Sequence, residues 1–354
     1  MSGETLNWSH VHYLIVNPVA GQGRALAKLA AVERFFADAR LPLTVLHTQR
    51  PNHATELARA LPEDAAVLSL GGDGTLHEIA AACVHTRRVV GILPGGSGDD
   101  LAYALDIPRN DLNVALNIIK AGCVRKVDTG FVNGETFINA FGVGFDADVA
   151  YRVRHAPRPL KERSAYLYAI VATLGRLENI PVQVVLDGEP VFSGPALLVA
   201  VQNGPRTGGS FLFAPPASPF DGLLDIVIAK QVSRANVLRL LPRLLKGTHL
   251  SHPAVSTFRG RELNVKWVRA RPGHMEGELL APTDTFTVSV QPRSLNVFVD
   301  KEIEKFEETP PPLTRFTQSG EALGLRGDLL LPPRGNVSQE RKASSTYTDN
   351  SLLR

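Results

Sequence analysis

The chain has 354 residues, 44% of them hydrophobic, enough to bury a sizeable core, and on length alone it suits two domains. A formal net charge of +3 is small for that length, so whole-protein charge makes no case for a nucleic-acid partner. Cys83 and Cys123 sit in apolar surroundings without metal-type spacing and read as two buried thiols in a reducing compartment.

The first stretch, "MSGETLNWSH", lacks the charged start and apolar core of a signal peptide, and no apolar run approaches the roughly 20 residues that span a bilayer. The expectation is a cytoplasmic protein that at most lies on a membrane surface. From Val11 to Asp128 short apolar runs alternate with helical stretches. "YLIVN" precedes "RALAKLAAVERFFADA", "PLTVLH" precedes "HATELARAL", "AAVLSL" precedes "GTLHEIAAACV", and "VVGILP" precedes "SGDDLAYAL". Strands apolar on both faces, each followed by an amphipathic helix, predict an α/β domain over 1–130 with a parallel sheet flanked by helices.

After Asp128 the runs "ETFINAFGVGF", "VQVVLDGEPVFSG", "PALLVAVQNG", "LLDIVIAK" and "FTVSVQ" alternate between Gly, Pro and Asp turns. They predict a mainly antiparallel β-sandwich domain over 131–308, with helices near Ala165 to Leu177 and Arg234 to Lys246. Strands near 285–300 are left free to pack back on the first domain. Residues 309–354 are rich in Pro, Ser, Thr and Arg without periodicity and read as a disordered tail. No internal repeat is visible.

Three glycine-bearing turns stand out, each after a strand of the first domain: Asn17-Pro18-Val19-Ala20-Gly21, Gly71-Gly72-Asp73-Gly74-Thr75 and Pro94-Gly95-Gly96-Ser97-Gly98-Asp99-Asp100. Glycines at a strand-to-helix turn allow main-chain N–H groups to face a small anion, and the helix N-terminus adds partial positive charge. In a parallel sheet, turns after strands open on one edge, where doubly wound folds bind ligands. Three on one edge predict a nucleotide site, although neither G-x-x-x-x-G-K-[ST] nor G-x-G-x-x-G is present.

"GGDGTLHE", "LPGGSGDDLAYAL", "DTGFVNGETFINAFGVGFDADV", "GGSFLFAPPASPFDGLLDIVIA" and "MEGE" occur in the order and approximate spacing of the diacylglycerol kinase family. The chain resembles its soluble bacterial branch, with sphingosine and ceramide kinases as relatives, from about Tyr13 to Val299. The resemblance implies a two-domain enzyme that binds ATP with Mg²⁺ in a cleft and transfers the γ-phosphate to a lipid hydroxyl, diacylglycerol or a related lipid.

By that resemblance, Asn17, Pro18, Gly21, Thr48, Gly71, Gly72, Asp73, Gly74, Thr75, Glu78, Gly96, Ser97 and Asp100 are the nucleotide contacts. Asp73, Asp100, Asp128 and Asp221 are the carboxylates of a magnesium and water network. Asp221 also matches a structural metal position completed by backbone oxygens of Ser218 and Leu223; Asp221-Gly222 alone reads as a hairpin turn. Glu278 matches the family's general base, and Asp73 and Glu276 stand beside it as catalytic candidates. Two positions depart from the family pattern. Asp99 replaces an asparagine, losing two amide donors and adding charge, and Glu276 replaces an aspartate, moving its carboxylate by roughly 1.5 Å.

The lipid-kinase reading requires a partner surface, the membrane. The segment "YRVRHAPRPLKERSAY", with Arg152, Arg154, Arg158, Lys161 and Arg163, reads equally as a leaflet-docking segment and as a solvated loop. "SRANVLRLLPRLLKGTHL" is a second amphipathic candidate whose leucines better suit the β domain. A homodimer has no separate signature and stays open. Two rivals share the glycine turns. An NAD kinase has an Asn-Glu pair where this chain has His77-Glu78, and a nucleotide-binding membrane adaptor with weakened catalysis would account for Asp99 and Glu276.

Overall fold

The computed structural model describes residues 11–157, 160, 163–301 and 303. The expected tail over 309–354, and Arg158, Lys161 and the side chain of Arg163 from the basic segment, lie outside the described residues.

The first part alternates as its pattern dictates: β1 (His12–Val16), α1 (Arg24–Asp38), β2 (Leu43–His47), α2 (His53–Ala60), β3 (Ala66–Gly71), α3 (Asp73–Cys83), β4 (Val89–Pro94), α4 (Asp100–Ala104) and α5 (Leu112–Ala121). The four strands are parallel in the order β2-β1-β3-β4. Every residue of β3 and β4 is buried, as continuous apolar runs covered by helices on both faces require. Asp111 caps α5 by accepting from the Asn113 and Val114 amides, and Gly122 ends the helix at φ +69°.

The second part contains β5 (Val124–Val132), β6 (Glu135–Phe137), β7 (Ala140–Gly144), α6 (Phe145–Arg154), α7 (Arg163–Leu174), β8 (Ile180–Leu186), β9 (Glu189–Gln202) and β10 (Leu224–Lys230). It continues with α8 (Arg234–Leu245), β11 (Val255–Gly260), β12 (Glu262–Arg271), β13 (Gly273–Met275), β14 (Glu278–Leu279) and β15 (Thr283–Phe298). Apart from the parallel contact of β15 with β4, its strand pairs are antiparallel, so the mainly antiparallel expectation holds.

The two parts share one sheet. β15 pairs with β12 near its start, with β5 along most of its length, and in parallel with β4 at Asn296 and Val297. Its end therefore belongs to the first core: Leu295, Val297 and Phe298 pack with Leu14, Leu68, Leu93 and Phe36. A second core gathers Phe137, Phe141, Trp267 and Phe286 inside the antiparallel sheet. A third lies between that sheet and α6–α8, around Ile170, Leu198, Val227 and Val237.

Helix α6 departs from the sequence reading, which carries the strand "ETFINAFGVGF" through Phe145. The cause is Gly144, at φ +113° and ψ −133°, where a Cβ would stand 2.5 Å from the Leu197 carbonyl oxygen. Only glycine takes that turn, and it swings the chain off the sheet. Cys83 is buried as expected, whereas Cys123 is half-buried.

A buried asparagine ties β5 to the segment between β6 and β7. Asn203 Nδ2 donates to the carbonyls of Asp128 at 2.8 Å and Ile138 at 2.7 Å. Asn203→Ala strips both buried acceptors of a donor, at about 1–3 kcal/mol each. The expected result is a lower denaturation midpoint with an unchanged m-value, read by urea unfolding.

Candidate active site

The parallel strands deliver their turns to one edge, and those turns meet backbone to backbone. A Cβ on Gly96 would stand 2.4 Å from Gly72 Cα, and one on Gly21 would stand 2.2 Å from the Gly95 carbonyl oxygen. Three side chains close the contact. Asn17 Nδ2 donates to Thr75 Oγ1 at 3.0 Å, Arg24 donates to the Gly96 carbonyl at 3.0 Å, and Lys28 donates to the Pro94 carbonyl at 2.5 Å. The result is a glycine-lined cradle with no side chain over it, a shape suited to phosphate.

Asp73 sits beneath this cradle. Its carboxylate accepts the Asp99 amide at 2.8 Å and the Asp100 amide at 2.6 Å, so it joins the second turn to the third. Burial above all, and then the charge of Asp100, push Asp73 above the usual carboxylate range. Asp100 is raised too, chiefly by burial and against the pull of Arg206.

Asp99, the first departure from the family pattern, has a structural account. It sits at φ +50°, a backbone that Asn and Asp tolerate, and accepts the Gly96 amide at 3.1 Å. Its added charge faces Arg109 Nε at 3.3 Å. Arg206 completes the loop from the antiparallel side. It reaches Asp100 at 2.9 Å and the carbonyls of Gly98 and Asp99 at 3.0 and 3.1 Å, and it stacks on Tyr103 with 4.1 Å to the ring centroid.

The "MEGE" segment is the hairpin joining β13 and β14. Glu276 and Gly277 both have positive φ, +47° and +84°, as a two-residue primed turn demands. Glutamate is disfavoured there, and its carboxylate supplies the compensation: Oε1 accepts the amides of Ile138 at 3.2 Å, Asn139 at 2.8 Å and Ala140 at 3.0 Å. Oε2 is buried without a hydrogen-bond partner, 3.9 Å from His77 Nε2. Glu276 therefore anchors the hairpin, and the extra methylene of the second departure spans to the 138–140 amides.

That anchoring aims Glu278 at the cradle. Its Oε1 lies 3.9 Å from where a Cβ on Gly74 would stand, and its Oε2 accepts from Arg154 Nη1 at 2.6 Å. Both side chains are about half-exposed, 52% for Glu278 and 46% for Arg154, so the carboxylate stays open to a ligand. Arg154, read in the sequence as part of a docking segment, here belongs to the site.

One cavity of about 1840 Å³ joins these parts. Asn17, Pro18, Gly21, Thr48, Gly72, Asp73, Gly74, Thr75, Glu78, Gly96, Ser97, Asp100, Glu276 and Glu278 line it. Val149, Ile170, Leu198, Leu240 and Leu241, which belong to one apolar cluster, line it too.

Some expected residues take other places. Gly71 ends β3 outside the lining, pressed on Thr75, where a Cβ would stand 2.6 Å from the threonine side chain. Glu78 caps α2, accepting the amides of Asn52 and Ala54 at 2.9 Å each. Asp128, Asp221, Ser218 and Leu223 do not line the cavity. Arg24, Lys28, Arg109 and Arg206 carry no local sequence signal for these contacts, because each partner lies far along the chain.

The family model described as the diacylglycerol kinase catalytic domain matches residues 12–132, and that of the YegS C-terminal NAD kinase beta sandwich-like domain matches 139–299. The chain is 30% identical over 293 residues to the diacylglycerol kinase of Mycobacterium tuberculosis, covering 80% of this chain and 93% of the relative. It is 29% identical over 269 residues to that of Bacillus subtilis, covering 75% and 88%. A crystal structure of a diacylglycerol kinase from Bacillus anthracis shares the fold, with a TM-score of 0.64 at 23% identity over 83% of this chain and 98% of that one.

Two predictions follow from the geometry. Glu276→Asp withdraws the carboxylate by roughly 1.5 Å from three amides and is expected to lower unfolding free energy by about 2 kcal/mol, read by urea denaturation. The second concerns pH. Asp73 is raised in the native state, so the native protein keeps a proton that the unfolded chain releases near pH 4. Its stabilising contribution is present below that pH and is lost as pH climbs through the raised native value. Asp73→Asn should flatten that part of the stability profile, measured without nucleotide or divalent ions.

Proposed function

The chain belongs to the diacylglycerol kinase family, and we propose that it transfers the γ-phosphate of ATP to the hydroxyl of a membrane lipid, diacylglycerol or a near relative. The observation that carries this reading is the juxtaposition in one cavity of a glycine cradle, a carboxylate aimed at it, and a cluster of apolar side chains.

The residues fit a nucleotide triphosphate with its magnesium ion. Side chains added at Gly21 or Gly96 would collide with the facing turn, so the backbone itself forms the wall. Bound Mg-ATP supplies the phosphoryl group and a cation that offsets charge on the transferring oxygens. Asn17 and Thr75, hydrogen-bonded to each other, present polar groups at the cradle, and Asp73 and Asp100, which also line the cavity, are the carboxylates that would face a cation through water or through the lone pairs their N–H donors leave. Ile170, Leu198, Leu240 and Leu241 receive the acyl chains and keep water from the reacting end.

Glu278 takes the proton from the lipid hydroxyl. Its role rests on orientation, because positioning dominates phosphoryl transfer. The primed turn and Arg154 provide that orientation. Arg154 also keeps positive charge beside the place where the phosphate arrives.

The lipid must come from a bilayer. No helix among the described residues is long and apolar enough to cross one. Leu167 and Leu245 are exposed by 56% and 46% and also line the cavity, so its apolar lining reaches the surface at α7 and α8. Arg239 and Arg243 on α8 suit a transient stay at the anionic inner leaflet.

The test is transfer of label from γ-labelled ATP to a total lipid extract in mixed micelles, with NAD offered in parallel. A labelled lipid is expected; label on NAD, or on nothing, overturns the reading. Glu278→Gln should lower turnover by about 100-fold or more while ATP affinity changes little. Unchanged turnover would remove Glu278 from the role of base.

A further inference from the structure

The resemblance to the family raises the expectation of a structural cation at Asp221, but the carboxylates present at that turn are already engaged by N–H donors, one of them a guanidinium. Asp221 Oδ1 accepts the Leu223 amide at 3.0 Å, and its Oδ2 accepts from Arg259 Nη2. Asp128, the neighbouring carboxylate, is equally engaged. Its Oδ1 accepts the Arg293 amide and its Oδ2 the Gly222 amide, each at 2.7 Å. The turn's own Pro219 carbonyl accepts the Asp128 amide, also at 2.7 Å. Each carboxylate oxygen of Asp221 and Asp128 therefore already has an N–H donor in front of it.

Arg259 does not reach this turn by chance of a long side chain. Asp225 on β10 is the direct cross-strand partner of Arg259 on β11, and the Arg259 Nε lies 3.2 Å from Asp225 Oδ1. The Nε of the guanidinium therefore binds the strand carboxylate and its Nη2 the turn carboxylate. Arg259, Asp221 and Asp225 keep only 20%, 14% and 6% of their side-chain surface exposed, so screening by water and salt is limited. A planar fork with fixed donors can bridge two carboxylates at a set spacing, which a point charge on a flexible stem does not.

We infer that Arg259 is a built-in cation that takes the place of a structural metal at the 218–225 turn, so the turn is held without a divalent ion. The turn is itself tied to the sheet, because Asp128 on β5, whose backbone carbonyl accepts from Asn203, accepts the Gly222 amide. The inference does not depend on which lipid, if any, the protein phosphorylates, since it concerns folding of the ligand-free chain.

The test uses the purified full chain without nucleotide. Metal content is measured after EDTA treatment and re-exposure to Mg²⁺, Mn²⁺ or Ca²⁺, and thermal unfolding is followed with EDTA or with each ion. The wild type is expected to retain no stoichiometric metal and to show the same Tm throughout. Arg259→Gln and Arg259→Ala, which free the carboxylates, should have a lower Tm in EDTA. Mg²⁺ should restore it saturably by about 3 °C or more, and the restoration should vanish in Asp221→Asn/Arg259→Gln. Arg259→Lys, which keeps one charge without the fork, should fall between wild type and Arg259→Gln and keeps the test open if the neutral variants do not fold. A wild-type Tm that falls in EDTA and returns with Mg²⁺, a bound stoichiometric ion, or variants as stable as wild type and indifferent to Mg²⁺ would each overturn the inference.

Discussion

The contact on which the rest of the site depends is the approach of two glycine turns, Gly71–Thr75 and Pro94–Asp100, close enough that backbone touches backbone. With no side chain between them, main-chain polar groups form the surface, and Asp73 holds the two turns in register through the amides of Asp99 and Asp100. Burying that carboxylate beside Asp100 is costly, as the upward displacement of both acids indicates. A side chain that only filled space would not need to be acidic there.

A second constraint is the continuity of the sheet. β15 begins among the antiparallel strands and ends beside β4, so the wall carrying the cradle and the wall carrying Glu278 belong to one hydrogen-bonded framework. The β13–β14 hairpin hangs from β7 in that framework, and Glu276 fastens its tip to the 138–140 amides. Two carboxylates one residue apart thus do different work. Glu276 is buried and spends its charge on backbone donors, whereas Glu278 remains half-exposed and faces the cavity. Environment, and not residue type, divides the roles.

Arginine recurs as the partner of the carboxylates in and around the site. Arg206 crosses from the antiparallel side to Asp100, Arg109 answers Asp99, Arg154 steadies Glu278, and Arg259 joins a strand to a turn. Half-buried carboxylates need a donor that keeps its charge and offers several N–H groups at fixed angles, and the guanidinium meets both needs. The two departures from the family pattern belong to the same economy of charge. Asp99 and Glu276 each find polar partners in the structure, Asp99 the Gly96 amide and Arg109, Glu276 the 138–140 amides.

Much of the architecture was legible in the residues. Continuous apolar runs followed by amphipathic helices marked the parallel half, and alternating runs between Gly, Pro and Asp turns marked the antiparallel one, because both patterns report which faces are buried. The glycine turns announced an anion cradle, since positive φ and close backbone approach leave few other residues possible. Helix α6, the packing role of Gly71, the capping role of Glu78 and all four arginine ties were not legible. Most of these depend on a partner far along the chain, and even the nearer contacts, Gly71 with Thr75 and Arg109 with Asp99, depend on how the turn folds, about which a one-dimensional pattern carries no information. The sequence by itself determined the elements and the chemistry available at their ends. Only the tertiary structure decided which carboxylate faces the cradle, which is spent on backbone amides, and which is already neutralised by an arginine.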